Sequence, residues 1–509
     1  MSRFKRYERY KDSGVEWIGE IPEEWDVLKL KWIFKLVYRY PTYYGIQYSD
    51  NGVIEVRGEM LKGNGLIDVE SCEPRFISEE ISNNYPMTKL KKDDIVMSVR
   101  GTMGKIGLVT DNIENANITA NLLRLSPNKN KVYSKWLVWL MESSRFNEEL
   151  DNYSDQTTIK TIRVPNLLSI NIPLPKYDEQ NAIANFLYQK TAEIDGLIAD
   201  KEKLIELLQE KRQAIITEAV TKGLNPNVRM KDSGIEWIGE IPAHWRLSKI
   251  KYESLINNKT LSESTDDDYE IDYIDISSVT SIGEIDGVQS LNFKDAPSRA
   301  RRILYKGDTI VSTVRTYLKA IAFIENAQSN LICSTGFAVL TPLSKVVPKY
   351  LFYLMRSEKY VNEIVRRSVG VSYPAVNTSD IGALECALPD RDEQMYIVEY
   401  LDNCTTQINQ LLNDIQAQIQ KLKEYRQSLI SEAVTGKIDV RDYKDEGMSN
   451  LNLIKKVERR VSRMKNETIY LDRDMNQRFE KEFEAAKKDW EKDKQEYEKQ
   501  KRDNDKKQF

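Results

Sequence analysis

Histidine is almost missing from this chain. Its 509 residues include one, His244, and four scattered cysteines, Cys72, Cys333, Cys386 and Cys404, with no CxxC pair. Zinc sites of the usual ligand types are thereby excluded, and lone thiols fit a reducing compartment better than a disulfide framework. No run reaches the roughly 18 apolar residues of a membrane span. The start, MSRFKRYERYKDSG, is basic but has no apolar stretch behind it, so no signal peptide is expected and a cytoplasmic location is the default. There is no GxxxxGK[ST] loop, and no GxGxxG follows a strand. Charge of one sign is lacking too: the net charge of -4 gives no overall basic footprint for nucleic acid, although a local basic stripe fits inside such a total. No catalytic residue, no metal ligand and no cofactor of the chain's own is expected.

What the chain has is a copy of itself. KDSGVEWIGEIPEEW (Lys11–Trp25) returns as KDSGIEWIGEIPAHW (Lys231–Trp245), 220 residues on. YDEQ (Tyr177–Gln180) returns as RDEQ (Arg391–Gln394), and TEAVT (Thr217–Thr221) as SEAVT (Ser431–Thr435), now 214 residues on. The second copy therefore loses six residues between Trp245 and Asp308. His244 has Glu24 as its counterpart, which argues against a catalytic role. A period of this length is a duplicated pair of domains rather than a solenoid repeat.

Each copy opens with a mixed segment of about 170 residues. Alternating stretches such as DDIVMSVRG and GDTIVSTVRT read as strands, and KWLVWLMESSRFNEEL reads as helix. A proline-free stretch follows. In the first copy its seam is Ile194, Ile198, Lys201, Ile205, Leu208, Arg212, Ile215 and Ala219. In the second it is Ile408, Leu412, Ile415, Ile419, Leu422, Arg426, Leu429 and Ala433. Steps of three and four sustained this long mark a coiled-coil seam. A helix of about 40 residues spans about 60 Å, and its simplest partner is its own duplicate running antiparallel.

The expected fold is α/β (α+β): two globular domains joined by two long helices in an antiparallel coiled coil with pseudo-twofold symmetry. The boundaries fall at 1–175, 176–223, 224–389 and 390–440, with a charged tail at 441–509 that is helical or disordered. Two like heads on two like rods match the local twofold symmetry of duplex DNA, and the rods would act as a ruler.

The two Trp-rich openings, the junctions IPLPKYDEQNAIANFL and CALPDRDEQMYIVEYL, and the helix ends RQAIITEAVTKG and RQSLISEAVTGK carry a family resemblance. They resemble the DNA-specificity subunit of type I restriction–modification systems, over residues 1 to about 440. That resemblance implies a non-catalytic subunit in which two target-recognition domains each read half of a split double-stranded DNA site. It also implies two methyltransferase subunits that use S-adenosylmethionine to methylate adenine N6, and two motor-nuclease subunits that use ATP and Mg2+. The alternatives are a non-DNA scaffold clamping partner proteins, or a fragment of a fused methyltransferase-specificity enzyme. The latter would need an NPPY-like segment, which is absent.

Positions alike in both copies are expected to be scaffold, partner surface or phosphate contacts: Trp17, Trp25, Glu179, Gln180, Trp237, Trp245, Glu393 and Gln394 are assigned to partner binding. Arg100 with Lys105, and Arg315 with Lys319, follow similar strands and suit phosphates. Base readers should differ between copies. YRYPTYYGIQY supplies Arg39, Tyr43, Tyr44 and Gln47 in the segment where lengths diverge; Arg suits guanine and Gln suits adenine. QTTIKTIR supplies Gln156, Thr157, Lys160 and Arg163 and aligns with GVSYPAVN, which supplies Tyr373 and Asn377. NNKT and SRARR add Asn257, Asn258, Lys259, Arg301 and Arg302.

Overall fold

The repeated phrase folds into the same hairpin twice. In the computed structural model, which describes residues 4–39, 48–155 and 160–443, Tyr10–Asp12 pairs antiparallel with Glu20–Pro22, and Met230–Asp232 with Glu240–Pro242. The Asp12 carboxylate accepts the Gly14 N–H at 3.0 Å, and Asp232 accepts that of Gly234 at 2.9 Å. Gly14 and Gly19 both sit at φ +67°, a backbone state that glycine reaches without strain. The tail from residue 444 lies outside the described residues.

Each head then builds a four-stranded antiparallel sheet. In the first, β1 (Phe34–Arg39), β2 (Ile95–Ser98), β3 (Ile106–Leu108) and β4 (Leu122–Pro127) stand in the order β1-β4-β2-β3. Helices α1 (Ser134–Glu142) and α2 (Ser144–Asn152) follow, and then the long α3 (Tyr177–Lys222). The second head repeats this plan with β5 (Ser254–Ile256), β6 (Thr309–Ser312), β7 (Ile321–Phe323) and β8 (Phe337–Pro342) in the order β5-β8-β6-β7. Helices α4 (Pro348–Arg356), α5 (Glu358–Arg367) and the long α6 (Arg391–Val434) complete it. A second sheet in each head carries the divergence. In the first head Asn117–Ile118 runs parallel to Val53–Val56 at the sheet edge, whereas the parallel pair of the second head, Glu270–Ile274 with Leu331–Ser334, is central.

All sixteen seam positions of α3 and α6 are buried or half-buried, and most positions between them are exposed. By contact the chain divides into two units. One joins the described residues up to Asp200 with those from Lys421, and the other is Lys201–Gln420. Each unit therefore holds one head, the start of its own long helix and the end of the other. Within the first, Gln189 meets Tyr443 and Asp195 meets Arg426. Within the second, Lys201 meets Gln418 and Gly223 packs on Glu393. Partner numbers fall as helix numbers rise, so in each unit the helices run antiparallel.

The end of α3 joins the core of the second unit: Ile216, Ala219 and Val220 cluster with Trp245, Tyr350, Leu351 and Leu401. In the first unit Gly436, at φ +70°, lies against Pro22 and Trp25, where an added Cβ would collide with the Pro22 ring. The Lys5 carbonyl accepts the Asp439 N–H at 2.8 Å. The chain's beginning is thus tied to the segment that follows α6.

One corner differs in charge between the units. Glu142, at the end of α1, accepts the N–H groups of Asn64 (3.0 Å) and Gly65 (2.8 Å) in the turn between Leu61 and Ile67. The matching helix end in the second unit carries Arg356, which donates to the carbonyls of Ser281 (3.1 Å) and Ile321 (3.2 Å). Burial and the neighbouring Arg212 push the Arg356 guanidinium down to about 10. Burial pushes the Glu142 carboxyl up to about 7, against the opposing pull of the two N–H groups and Arg426.

Between roughly pH 4.5 and 7 the folded state thus holds a proton at Glu142 that an unfolded carboxyl has released. That contribution is full below the unfolded value and is lost as pH rises through the folded one. Glu142→Gln is expected to remove a pH-dependent contribution on the order of 1–3 kcal/mol. Melting curves of both proteins between pH 5 and 8 should show the wild type falling relative to the variant. Parallel curves would refute the assignment.

Candidate DNA interface

In both heads a loop that follows a central strand is stitched to a loop that follows the helix pair. In the first head Arg100 bridges Thr161 and Asp155 bridges Thr161; in the second, Val314 bridges Ala375 and Val369 bridges Ala375. Thr161 of QTTIKTIR and Ala375 of GVSYPAVN therefore hold matching places in the two heads, each bridged to the loop after the central strand. Gln156 and Thr157 lie outside the described residues, as do Tyr43, Tyr44 and Gln47.

The basic pairs share loops but not positions. Arg100 stands in register with Val314, while Arg315 falls where the first head has Gly101. The Ser98 N–H donates to Lys105 O, whereas the Ser312 N–H donates to Ala320 O. The second loop is one residue longer, so Lys319 falls where Gly104 stands rather than opposite Lys105. Gly101 and Gly104 have φ +78° and +86°; Arg315 and Lys319 take φ +50° and +56°. Two basic side chains thus accept a left-handed backbone that the first head gives to glycine, at about 1 kcal/mol or more each. Arg315 lies over the Tyr373 ring at 4.5 Å, and its N–H donates to Pro374 O at 2.7 Å.

Around these loops Arg100, Lys105, Arg315, Lys319, Tyr373 and Asn377 are exposed. Lys160 pairs with Asp151 at 2.7 Å and Arg163 with Asp155 at 2.9 Å, both at the surface. Asn377 begins the short helix Thr378–Gly382 without a side-chain cap bond, so its amide is uncommitted there. A second grouping lies on the other sheet of the second head. Leu261 N–H donates to Arg301 O, Ile303 N–H donates to Lys259 O, and Thr260 bridges Arg302. NNKT and SRARR are thus neighbours. Lys259 stacks on Tyr305 at 5.0 Å and Arg301 on Phe293 at 4.6 Å; Asn258 is exposed. Asn257 is partly committed, since its side-chain oxygen accepts the Val339 N–H at 3.0 Å and its φ is +52°. Arg39, at the end of β1, donates to Ala120 O at 3.4 Å. Among the described residues no cluster of His, Cys, Asp or Glu could hold a metal ion, and no helix is long and apolar enough to cross a membrane.

Residues 22–207 and 249–421 match the family model of the type I restriction modification DNA specificity domain. The chain belongs to that family. The MjaVIII specificity subunit of Methanocaldococcus jannaschii is 33% identical over 209 residues, 40% of this chain and 47% of that protein. The MjaIX specificity subunit of the same organism is 22% identical over 458 residues, covering 87% of this chain and 99% of the relative. The chain thus spans about half of the first relative and nearly all of the second. A solved structure from work on complex assembly and conformational transition of the type I R-M system shares the fold. It has a TM-score of 0.63 at 16% identity, over 82% of this chain and 99% of that one. The family role is DNA target recognition by a non-catalytic specificity subunit.

In this specificity chain the shared motifs are first of all internal fasteners. Trp25 Nε1 donates to Glu179 at 3.0 Å and Tyr7 adds its hydroxyl at 2.6 Å. Trp245 Nε1 donates to Glu393 at 3.2 Å, and His244 sits 2.8 Å from the same carboxylate. Gln180 accepts the Tyr133 N–H and donates to Lys131 O and Pro175 O. Gln394 does the same with Val347, Lys345 and Pro389. Trp25, Trp245, Gln180 and Gln394 are fully buried and Glu179 nearly so. Assigning these five to a partner surface is therefore corrected: a partner cannot reach side chains that close their own head onto its helix. Trp17, stacked edge-on against Phe146, and Trp237, against Tyr360, remain half-exposed, as does Glu393. Sequence reasoning missed Val369, Val371, Tyr317 and Leu318, all exposed beside Arg315. Their signal in the sequence is slight: two valines flanking Gly370, and a Tyr-Leu pair between Arg315 and Lys319, neither with a strand or helix period.

Proposed function

We propose that this chain directs a type I restriction–modification complex to a bipartite duplex site, each head reading one half and the long helices setting the gap. The observation that carries this reading is the pair of stitched loops at matching places in two like heads, alike in their bridging bonds and unlike in side chains. Shared frame with differing tips is what two half-sites of different sequence require. Two methyltransferase subunits carrying S-adenosylmethionine and two motor-nuclease subunits using ATP and Mg2+ would supply the chemistry, in the cytoplasm. The half-exposed Trp17, Trp237 and Glu393 are the remaining candidates for partner contact.

The test is binding of duplex DNA by the chain co-expressed with its methyltransferase, across a salt series. A DNA reader loses affinity steeply as salt rises, whereas a protein-clamping scaffold shows no such slope. Lys160→Ala and Asn377→Ala sharpen the test. If each reads bases, discrimination in one half-site falls about 5–150-fold, a different half for each variant. If each touches phosphate, binding weakens alike on every sequence, and Lys160→Ala lowers the salt slope by about one.

A further inference from the structure

The loop Ser368–Ala375 of the second head holds its apolar side chains out into solvent on a firm base. Val369 and Ala375 exchange backbone hydrogen bonds at 2.8 and 3.0 Å. The Arg315 N–H bonds Pro374 O at 2.7 Å, and the hydroxyls of Thr316 and Ser368 meet at 2.7 Å. On that base Val371 is 100% exposed, Val369 80% and Tyr373 62%. The neighbouring loop adds exposed Tyr317 and Leu318. Folding gains nothing from a valine left wholly in water, and contiguous exposed apolar groups mark interaction surfaces.

The surrounding charge selects the occupant. Arg315, over the Tyr373 ring, touches the apolar tip, and Lys319 is exposed four residues on in the same adjoining loop; both hold a left-handed backbone. Cations call for a polyanion. Phosphates alone, however, offer an apolar side chain nothing; within a nucleic acid the sugar carbons do so without regard to sequence, and base faces and thymine methyl groups do so with it. Resting on the DNA-reading role above, we propose that Val371 and Tyr373 make apolar contact with the bases of the half-site read by the second head, while Arg315 and Lys319 hold the phosphates on either side. The tip is then a specificity element that acts without hydrogen bonds.

The experiment uses the full chain with its methyltransferase on duplexes carrying the mapped site. Val371→Ser leaves charge and folding untouched, so melting temperature and salt slope stay put while affinity for the site falls about tenfold. Relaxed sequence preference appears in one half only, the same half that Asn377→Ala affects. Two duplex series separate the sources of apolar contact. If thymine methyls are touched, deoxyuridine in place of thymine lowers wild-type affinity to that of Val371→Ser and leaves the variant unmoved. If base faces are touched, 2-aminopurine placed away from the modified adenine brightens on wild-type binding and not with the variant. Arg315→Gly, which installs the residue of the first head, keeps or raises the melting temperature while lowering the salt slope by about one.

Wild-type affinity and discrimination in Val371→Ser overturn the proposal. So does loss of methyltransferase co-purification in that variant, which would make the tip a protein-docking surface. A wild-type complex with no salt-dependent, sequence-specific binding would instead overturn the DNA-reading role itself.

Discussion

Arg124→Ala is expected to destabilise the first head by about 3–5 kcal/mol, a large share of the stability of an ordinary domain. Arg124 and Asp94 are buried together with Nε and Oδ2 2.7 Å apart. Ser126 Oγ (2.6 Å) and the Lys91 N–H (2.8 Å) also donate to that carboxylate, and the Arg124 guanidinium donates to Met87 O at 3.0 Å. Removing the guanidinium strands the Asp94 charge, buried where β2 begins beside β4. The second head shows the alternative arrangement. Asp308 is equally buried and accepts from Thr341 (2.6 Å) and the Tyr305 N–H (2.7 Å), but Val339 stands where the first head has Arg124. Burial raises the Asp308 carboxyl.

A raised carboxyl keeps its proton in the folded state after the unfolded chain has lost it, so its stability contribution is held at low pH and fades as pH climbs through the folded value. Arg124→Val transplants that arrangement. Its destabilisation should therefore be smaller near pH 4 than near pH 8, with Asp94→Ala added to it recovering most of the loss at pH 8. Urea unfolding of the three proteins at both pH values decides the matter. A loss under about 1 kcal/mol at both would mean that the pair is worth no more than a surface bridge.

What the two copies share is also what their sequence discloses. The hairpin phrase and the DEQ junction were legible because identical bonds demand identical residues: Trp to Glu, and Gln to three backbone groups. Period-two stretches marked β2 and β6, and the three-four seam marked both long helices. The composition of each unit was not legible. Gly436 settling on Pro22, and Lys5 meeting Asp439, join residues more than 400 apart, and such contacts leave no periodic trace. Loop backbone was equally hidden. Arg315 and Lys319 read as ordinary basic residues until their φ values show them in glycine's places. The role of the tryptophans divided along burial: scaffold for Trp25 and Trp245, an open face for Trp17 and Trp237.

The gap between half-sites should follow the helices. Seven residues inserted into α3 after Asp200, and seven into α6 after Gln420, fall at the division between the two units, so each head keeps its hairpin, junction and helix ends. Seven residues turn the seam by only about 20° and preserve its apolar face. They add about 10 Å at 1.5 Å per residue, close to three base-pair rises of about 3.4 Å. Mapped adenine modification should therefore keep both half-sites and lengthen the gap by about three pairs. Three pairs also turn the duplex by about 100°, which the inserted rod does not reproduce. Twisting of DNA or of the heads has to absorb that angle, and modification should be slower than with the wild type. An unchanged gap would separate the helices from spacing altogether. Altered half-sites would mean that the insertion had reached the heads.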